Sequence, residues 1–172
     1  MGAGKILVII GALLSIVGTF VFALFDPAID LLGSGLGFAV NIPTLFEDVD
    51  SVALSTGLEV FVIYIVLIVF IIFLAAGFLQ LVGLKSRVVG LIFALFPLFI
   101  GVMFILLFFT DILGPLSAIF GAMFETDIFG DTFPLFFTIG GTDALLGEFG
   151  LGAYFLVGGG VLGLIGCILP RD

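Results

Sequence analysis

Side chains able to do chemistry are few in this chain, and their spacing bounds what they can do. Carboxylates cluster twice, at Glu47, Asp48 and Asp50 ("EDVD") and at Glu125, Asp127 and Asp131 ("ETDIFGD"). A calcium loop places acids at alternate positions followed by a glycine, and neither stretch has that spacing. The chain holds no histidine and one cysteine, Cys167. That removes the usual intramembrane metal site, haem held by histidine, and a nucleophile paired with histidine. No glycine loop runs into a Lys followed by Ser or Thr, so no phosphate cradle is expected. The expectation is a protein that is not an enzyme, with no cofactor, no metal and no nucleic-acid partner.

The elements that carry these groups are set by composition. Hydrophobic residues make up 63% of the 172, charged residues 10%, and the mean hydropathy is +1.54. A soluble domain of this length has no interior large enough for that much apolar surface. Four stretches, 6–25, 60–83, 88–109 and 149–169, hold the roughly 20 apolar residues that cross a bilayer as helices. Nothing here has the alternating polar face of a barrel strand. The fold class is an all-α integral membrane protein, a single domain built as a four-transmembrane-helix bundle. The first stretch is longer than a signal-peptide core and lacks a small-x-small cleavage site. Ile6 stands where a myristoylation signal needs Ser or Thr.

Charge sorts the chain into two sides. Lys5, Lys85, Arg87 and Arg171 fall before the first span, in the turn 84–87, and after the last span. Asp26, Asp30, Glu47, Asp48, Asp50 and Glu59 lie in 26–59; Asp111, Glu125, Asp127, Asp131, Asp143 and Glu148 lie in 110–148. Lys and Arg near span ends mark the cytoplasmic side, so both termini and the short turn are expected there. Two acidic loops then face outward from a cell membrane. That outer surface is either a solvated face suited to a saline or acidic exterior, or a surface for cations or a basic partner such as a surface-layer protein.

Four spans, inward termini, a short inner turn and two outer loops resemble the topology of claudins and tetraspanins. The outer-loop cysteines and the tryptophan motif of those families are absent, since Cys167 is the one cysteine and there is no Trp. The resemblance therefore covers topology and carries over no functional residue. Without outer disulfides, a prokaryotic source is the expectation.

The outer loops are unusually apolar. Stretches 31–46, 112–124 and 133–141 are too short to span and suit buried, interfacial or re-entrant segments. Pro115 suits the first turn of a short helix running to Phe124. One or two such helices are expected to pack on the first loop as a small cap. Thr56-Gly57-Leu58-Glu59 has the spacing of a capping box opening the second span, which gives Glu59 a structural task in preference to ion binding. Phe133, Phe136 and Phe137 form an aromatic cluster in the second loop, the kind of apolar surface that marks an interaction site.

Small residues recur at helical spacing. Gly152, Gly159, Gly163 and Gly166 share one face of the last span, and Gly4, Gly11, Ser15 and Gly18 repeat that spacing in the first. Gly90, Ala94, Pro97 and Gly101 form a similar row in the third. Close backbone approach drives association in lipid, so these rows are read as packing faces, within the bundle or between subunits. The second span has no small residue over 60–74 and is expected to present more surface to lipid. Ser15, Thr19, Tyr64 and Gln80 are the polar residues within the spans and are read as interhelical hydrogen-bonding groups. Phe-then-Asp exits and Gly-Leu starts also hint that the two halves are parallel repeats.

Two functions fit. The first is a structural or assembly protein that forms a homo-oligomer or joins a larger membrane complex, with membrane lipids and a protein as partners. The second is an oligomeric passive cation channel with an acidic outer vestibule.

Overall fold

The computed structural model describes residues 2–28, 31–110, 112, 121–127, 133–143 and 147–170. Four of its helices are long and apolar enough to cross a membrane: α1 (Ala3–Phe20), α4 (Val60–Gln80, prolonged by a 3-10 turn at Leu81–Leu84), α5 (Arg87–Phe109) and α6 (Leu151–Ile168). This is the helical, multi-pass organisation that the apolar runs predict. Two shorter helices, α2 (Gly35–Glu47) and α3 (Val49–Thr56), fill the first connection. The second span does show a broad outer surface, with Phe61, Ile65, Ile68 and Phe78 exposed.

Local sequence explains the ends. The turn between α4 and α5 closes when Lys85 N and Ser86 N both donate to the Val82 carbonyl. Ser86 then caps α5, its Oγ accepting from Val89 N. Pro97 sits inside α5, buried where neighbouring helices enclose it. Lys5, Lys85 and Arg87 gather at this end of the bundle, while Asp26, Glu47, Asp48, Asp50, Glu59, Glu125 and Glu148 lie in the connections at the other.

The first and last long helices are shorter than the apolar runs 6–25 and 149–169. Beyond Phe20 the chain stays apolar but its backbone turns to strand partners. Ala23 N donates to Leu135 O, and Leu24 N to Gly33 O. The residues that follow form a five-stranded antiparallel sheet that the all-α expectation did not include. Its strands are β1 (Phe25–Ala28), β2 (Leu31–Gly33), β3 (Glu125–Asp127), β4 (Thr138–Asp143) and β5 (Gly147–Gly150), in the order β3-β2-β1-β5-β4. The register places Phe25 opposite Gly33 on one side and Phe149 on the other, with Asp26 opposite Glu148. Both connections contribute strands, so the cap is one unit woven from two loops. Its central pair grows directly from the long helices: β1 follows α1, and β5 runs into α6.

The expected short helices lie elsewhere too. The first connection supplies α2 and α3, whereas the helix expected from Pro115 falls outside the described residues, apart from a helical turn at 121–124. The capping box is not formed. Thr56 ends α3, Gly57 closes it with φ 67°, and Thr56 Oγ1 accepts from Leu58 N instead. Glu59 stands at the start of α4 without a side-chain cap bond. A positive φ suits glycine, so a helix ends here before the next one begins.

Candidate functional site

Two surfaces inside the molecule hold its elements together: a seam of glycines and an aromatic layer beneath the sheet. The seam joins α1 and α6, which run antiparallel. A Cβ on Gly11 would stand 2.6 Å from Gly163 N; on Gly18, 2.9 Å from Gly152 O; on Gly159, 2.7 Å from Gly11 O; on Gly166, 2.7 Å from Gly4 O. None of these separations admits a methyl group. The two backbones touch along the whole row, as small residues allow in lipid.

The third row meets the other flank of α6. A Cβ on Gly101 would lie 2.8 Å from Ala153 O, and one on Gly160 would lie 2.8 Å from Ala94 O. Gly90 faces Gly83 and the Cys167 sulfur, and Ala94 is fully buried. So Gly11, Ser15, Gly18, Gly90, Ala94, Gly101, Gly159, Gly163 and Gly166 face helices of their own chain, and Gly152 faces the backbone of Phe22 and Ala23 just past α1. Spacing alone left open whether these rows meet the same chain or a neighbour; here they are consumed within the subunit. Gly160 was missed because the row through Gly159 accounts for one face only. Its signal is the triplet Gly158-Gly159-Gly160, which puts small residues on two faces at once.

A polar knot crosses the seam. Gln80 is fully buried; its Nε2 donates to Gly159 O at 3.1 Å and its Oε1 accepts from Ser15 Oγ at 3.1 Å. Ser15 Oγ also lies 2.9 Å from Gly11 O, so one hydroxyl proton serves two acceptors. Thr19 turns back to its own helix, donating to Ser15 O at 2.7 Å. Tyr64 is on the outer surface beside Phe46. Of the four polar residues, Ser15 and Gln80 join helices, whereas Thr19 and Tyr64 do not. With its acceptors and donors turned inward, the knot fastens three helices.

The aromatic layer occupies the halves of α4 and α5 nearest the sheet. Phe124 is its centre, with ring centroids 5.0 Å from Phe104, 5.1 Å from Phe70 and 5.2 Å from Phe38. Phe25 stacks on Phe104 at 5.6 Å, and Phe149 meets Phe108 at 4.9 Å. Strands β1 and β5 thus each anchor a ring on α5. Asn41 ties the two connections together, its amide donating to Glu125 O at 2.8 Å and to Met123 O at 3.3 Å. Nothing in the sequence around Asn41 signals that task.

The outer aromatic cluster divides. Phe137 is 56% exposed and packs one edge on Phe22, while Phe133 and Phe136 are half-buried. Ile112 and Phe109 are exposed at the same end of the molecule, at 73% and 52%. A recess of about 610 Å³ between α3 and α4 is edged by Asp50, Leu54, Gly57 and Glu59. A second, of about 290 Å³, lies between α4 and α5 and is lined by apolar side chains including Val66, Phe70 and Phe99. Among the described residues, no three His, Cys, Asp or Glu side chains come together. Asp131 lies outside the described residues.

No family model, curated protein or solved structure matches this chain.

Proposed function

We propose that this chain is a non-enzymatic structural or assembly component of a prokaryotic cell membrane, with both termini cytoplasmic and the acidic cap at the cell surface. What supports the reading is the exhaustion of the bundle's own contact faces. The glycine rows and the Ser15–Gln80 knot are satisfied inside one subunit, so they build a rigid unit. The apolar side chains left over at the cap end, Phe137, Ile112 and Phe109, are the groups that gain by meeting another surface. Assembly, as a homo-oligomer or within a larger complex, therefore works through the cap and not through the glycine rows. A basic surface protein would suit the acidic side of that cap.

The test is native mass of the full chain in mild detergent, with cross-linking in intact membranes. The expected result is a species heavier than the 18.1 kDa chain, reduced to the single chain by Phe137→Asp. A single-chain mass and no cross-linked product would reject assembly. Cysteines at Asp48 and Asp127 should react from outside with an impermeant thiol reagent; reaction only after permeabilisation would reverse the topology. The channel reading needs a pore between subunits, because Ser15 and Gln80 bond one another inside the bundle; cation flux above that of empty vesicles would favour it.

A further inference from the structure

The short helix α2 lies against the long ones. A Cβ on Gly35, in its first turn, would stand 2.5 Å from Thr19 Cγ2 near the end of α1. Phe38 then packs on Phe70 at 5.4 Å, and Phe46 on Tyr64 at 6.0 Å. Thus α2 runs antiparallel to the first half of α4, rising from the middle of that helix toward Val60.

Its depth follows from helix rise. Measured from the end that carries Lys5, Lys85 and Arg87, Thr19 stands about 24 Å along α1 and Phe70 about 21 Å along α4. A hydrocarbon core is roughly 30 Å thick, which leaves the base of α2 roughly 6–9 Å inside it. The sequence of the helix grades the same way. No charged residue occurs between Ser34 and Phe46, and then Glu47, Asp48 and Asp50 follow together. Val40 is 53% exposed on α2, as Ile65, Ile68 and Val69 are exposed on α4.

The backbone at that depth has partners. Ser34 Oγ accepts from Gly37 N at 3.0 Å, Ser34 N donates to Phe124 O at 2.8 Å, and Asn41 serves the carbonyls of Met123 and Glu125. Non-spanning backbone is tolerated in a bilayer only when it is satisfied in this manner. We propose that α2 is a re-entrant half-helix, its base immersed in the acyl chains of the leaflet opposite the basic turn, with Val40 and Pro43 facing lipid. The first connection then leaves the membrane, returns into it at Ser34 and leaves again along α4.

Nitroxide labels test this in the full chain carrying Cys167→Ala, reconstituted in phosphatidylcholine vesicles. Labels go singly at Val40→Cys, at Ile68→Cys on α4 and at Leu54→Cys on α3, the last 85% exposed beyond the acidic residues. Collision with oxygen reports hydrocarbon, and collision with a nickel chelate reports water. Val40 is expected to match Ile68 in favouring oxygen, and Leu54 to favour nickel. A Val40 label that matches Leu54 overturns the proposal, and so does one shielded from both probes, because a protein would then cover the face. If Val40→Cys does not fold, Pro43→Cys, also exposed, carries the same expectation.

Discussion

Gln80 on α4 donates to the Gly159 carbonyl of α6 over 3.1 Å, through space that a side chain on Gly163 would fill. The glycine row therefore does two things: it lets α1 and α6 touch, and it opens a slot through which a third helix is fastened. Replacing the amide by an apolar chain of similar length, Gln80→Met, removes the fastening and keeps the volume. The expected cost is about 0.6–2 kcal/mol, the range of interhelical hydrogen bonds in membranes, read as a lower melting temperature in one detergent. Ser15 retains the Gly11 carbonyl, so α1 itself stays intact.

Adjacent glycines in α6 should behave oppositely. A Cβ on Gly158 meets nothing closer than Leu14 Cδ1 at 4.0 Å, whereas one on Gly159 stands 2.7 Å from Gly11 O. Gly158→Ala is expected to be neutral or to gain up to about 1 kcal/mol from helix preference. Gly159→Ala is expected to lose about 1–3 kcal/mol through overpacking against a backbone that cannot yield. Equal melting temperatures for the two variants would contradict the seam.

Asn41→Leu tests the tie between the two connections. It leaves the carbonyls of Met123 and Glu125 without their side-chain donor, at about 1–3 kcal/mol for buried groups left unpaired. Hydrogen exchange should quicken in 121–127 and in β2, while the four long helices keep their protection.

Asp26 and Glu148 face each other across β1 and β5. Like charges directly opposite destabilise a strand pair, so Glu148→Gln should raise stability by about 0.2–1 kcal/mol. The glutamine keeps an oxygen for the Thr138 hydroxyl, which bonds Glu148 Oε2 at 2.8 Å. The gain should shrink in 1 M salt, where the repulsion is screened.

The long helices and their small-residue faces were legible because a spacing such as Gly152, Gly159, Gly163 reports a helical face directly. What each face meets was not legible, since periodicity describes one helix and contact needs two. Strands of three to six residues escaped because the alternation that marks a strand needs a longer run to register. Phe25 and Phe149 read as the ends of membrane spans for the same reason: their apolar character is real, but their backbones pair with each other. Thr56 misled in another way. Its spacing to Glu59 fits a capping box, yet Gly57 between them ends the previous helix.

Because β1 continues α1 and β5 leads into α6, the two glycine helices are indexed twice, once by interlocking backbones and once by strand register. To slide one past the other by a single residue would turn every strand side chain to the opposite face of the sheet. That pair is a fixed rail. The other two long helices are hung on that rail, α4 by the Gln80 amide and α5 by the close fit of Gly101 and Gly160, so strand register at the cap fixes the alignment of all four.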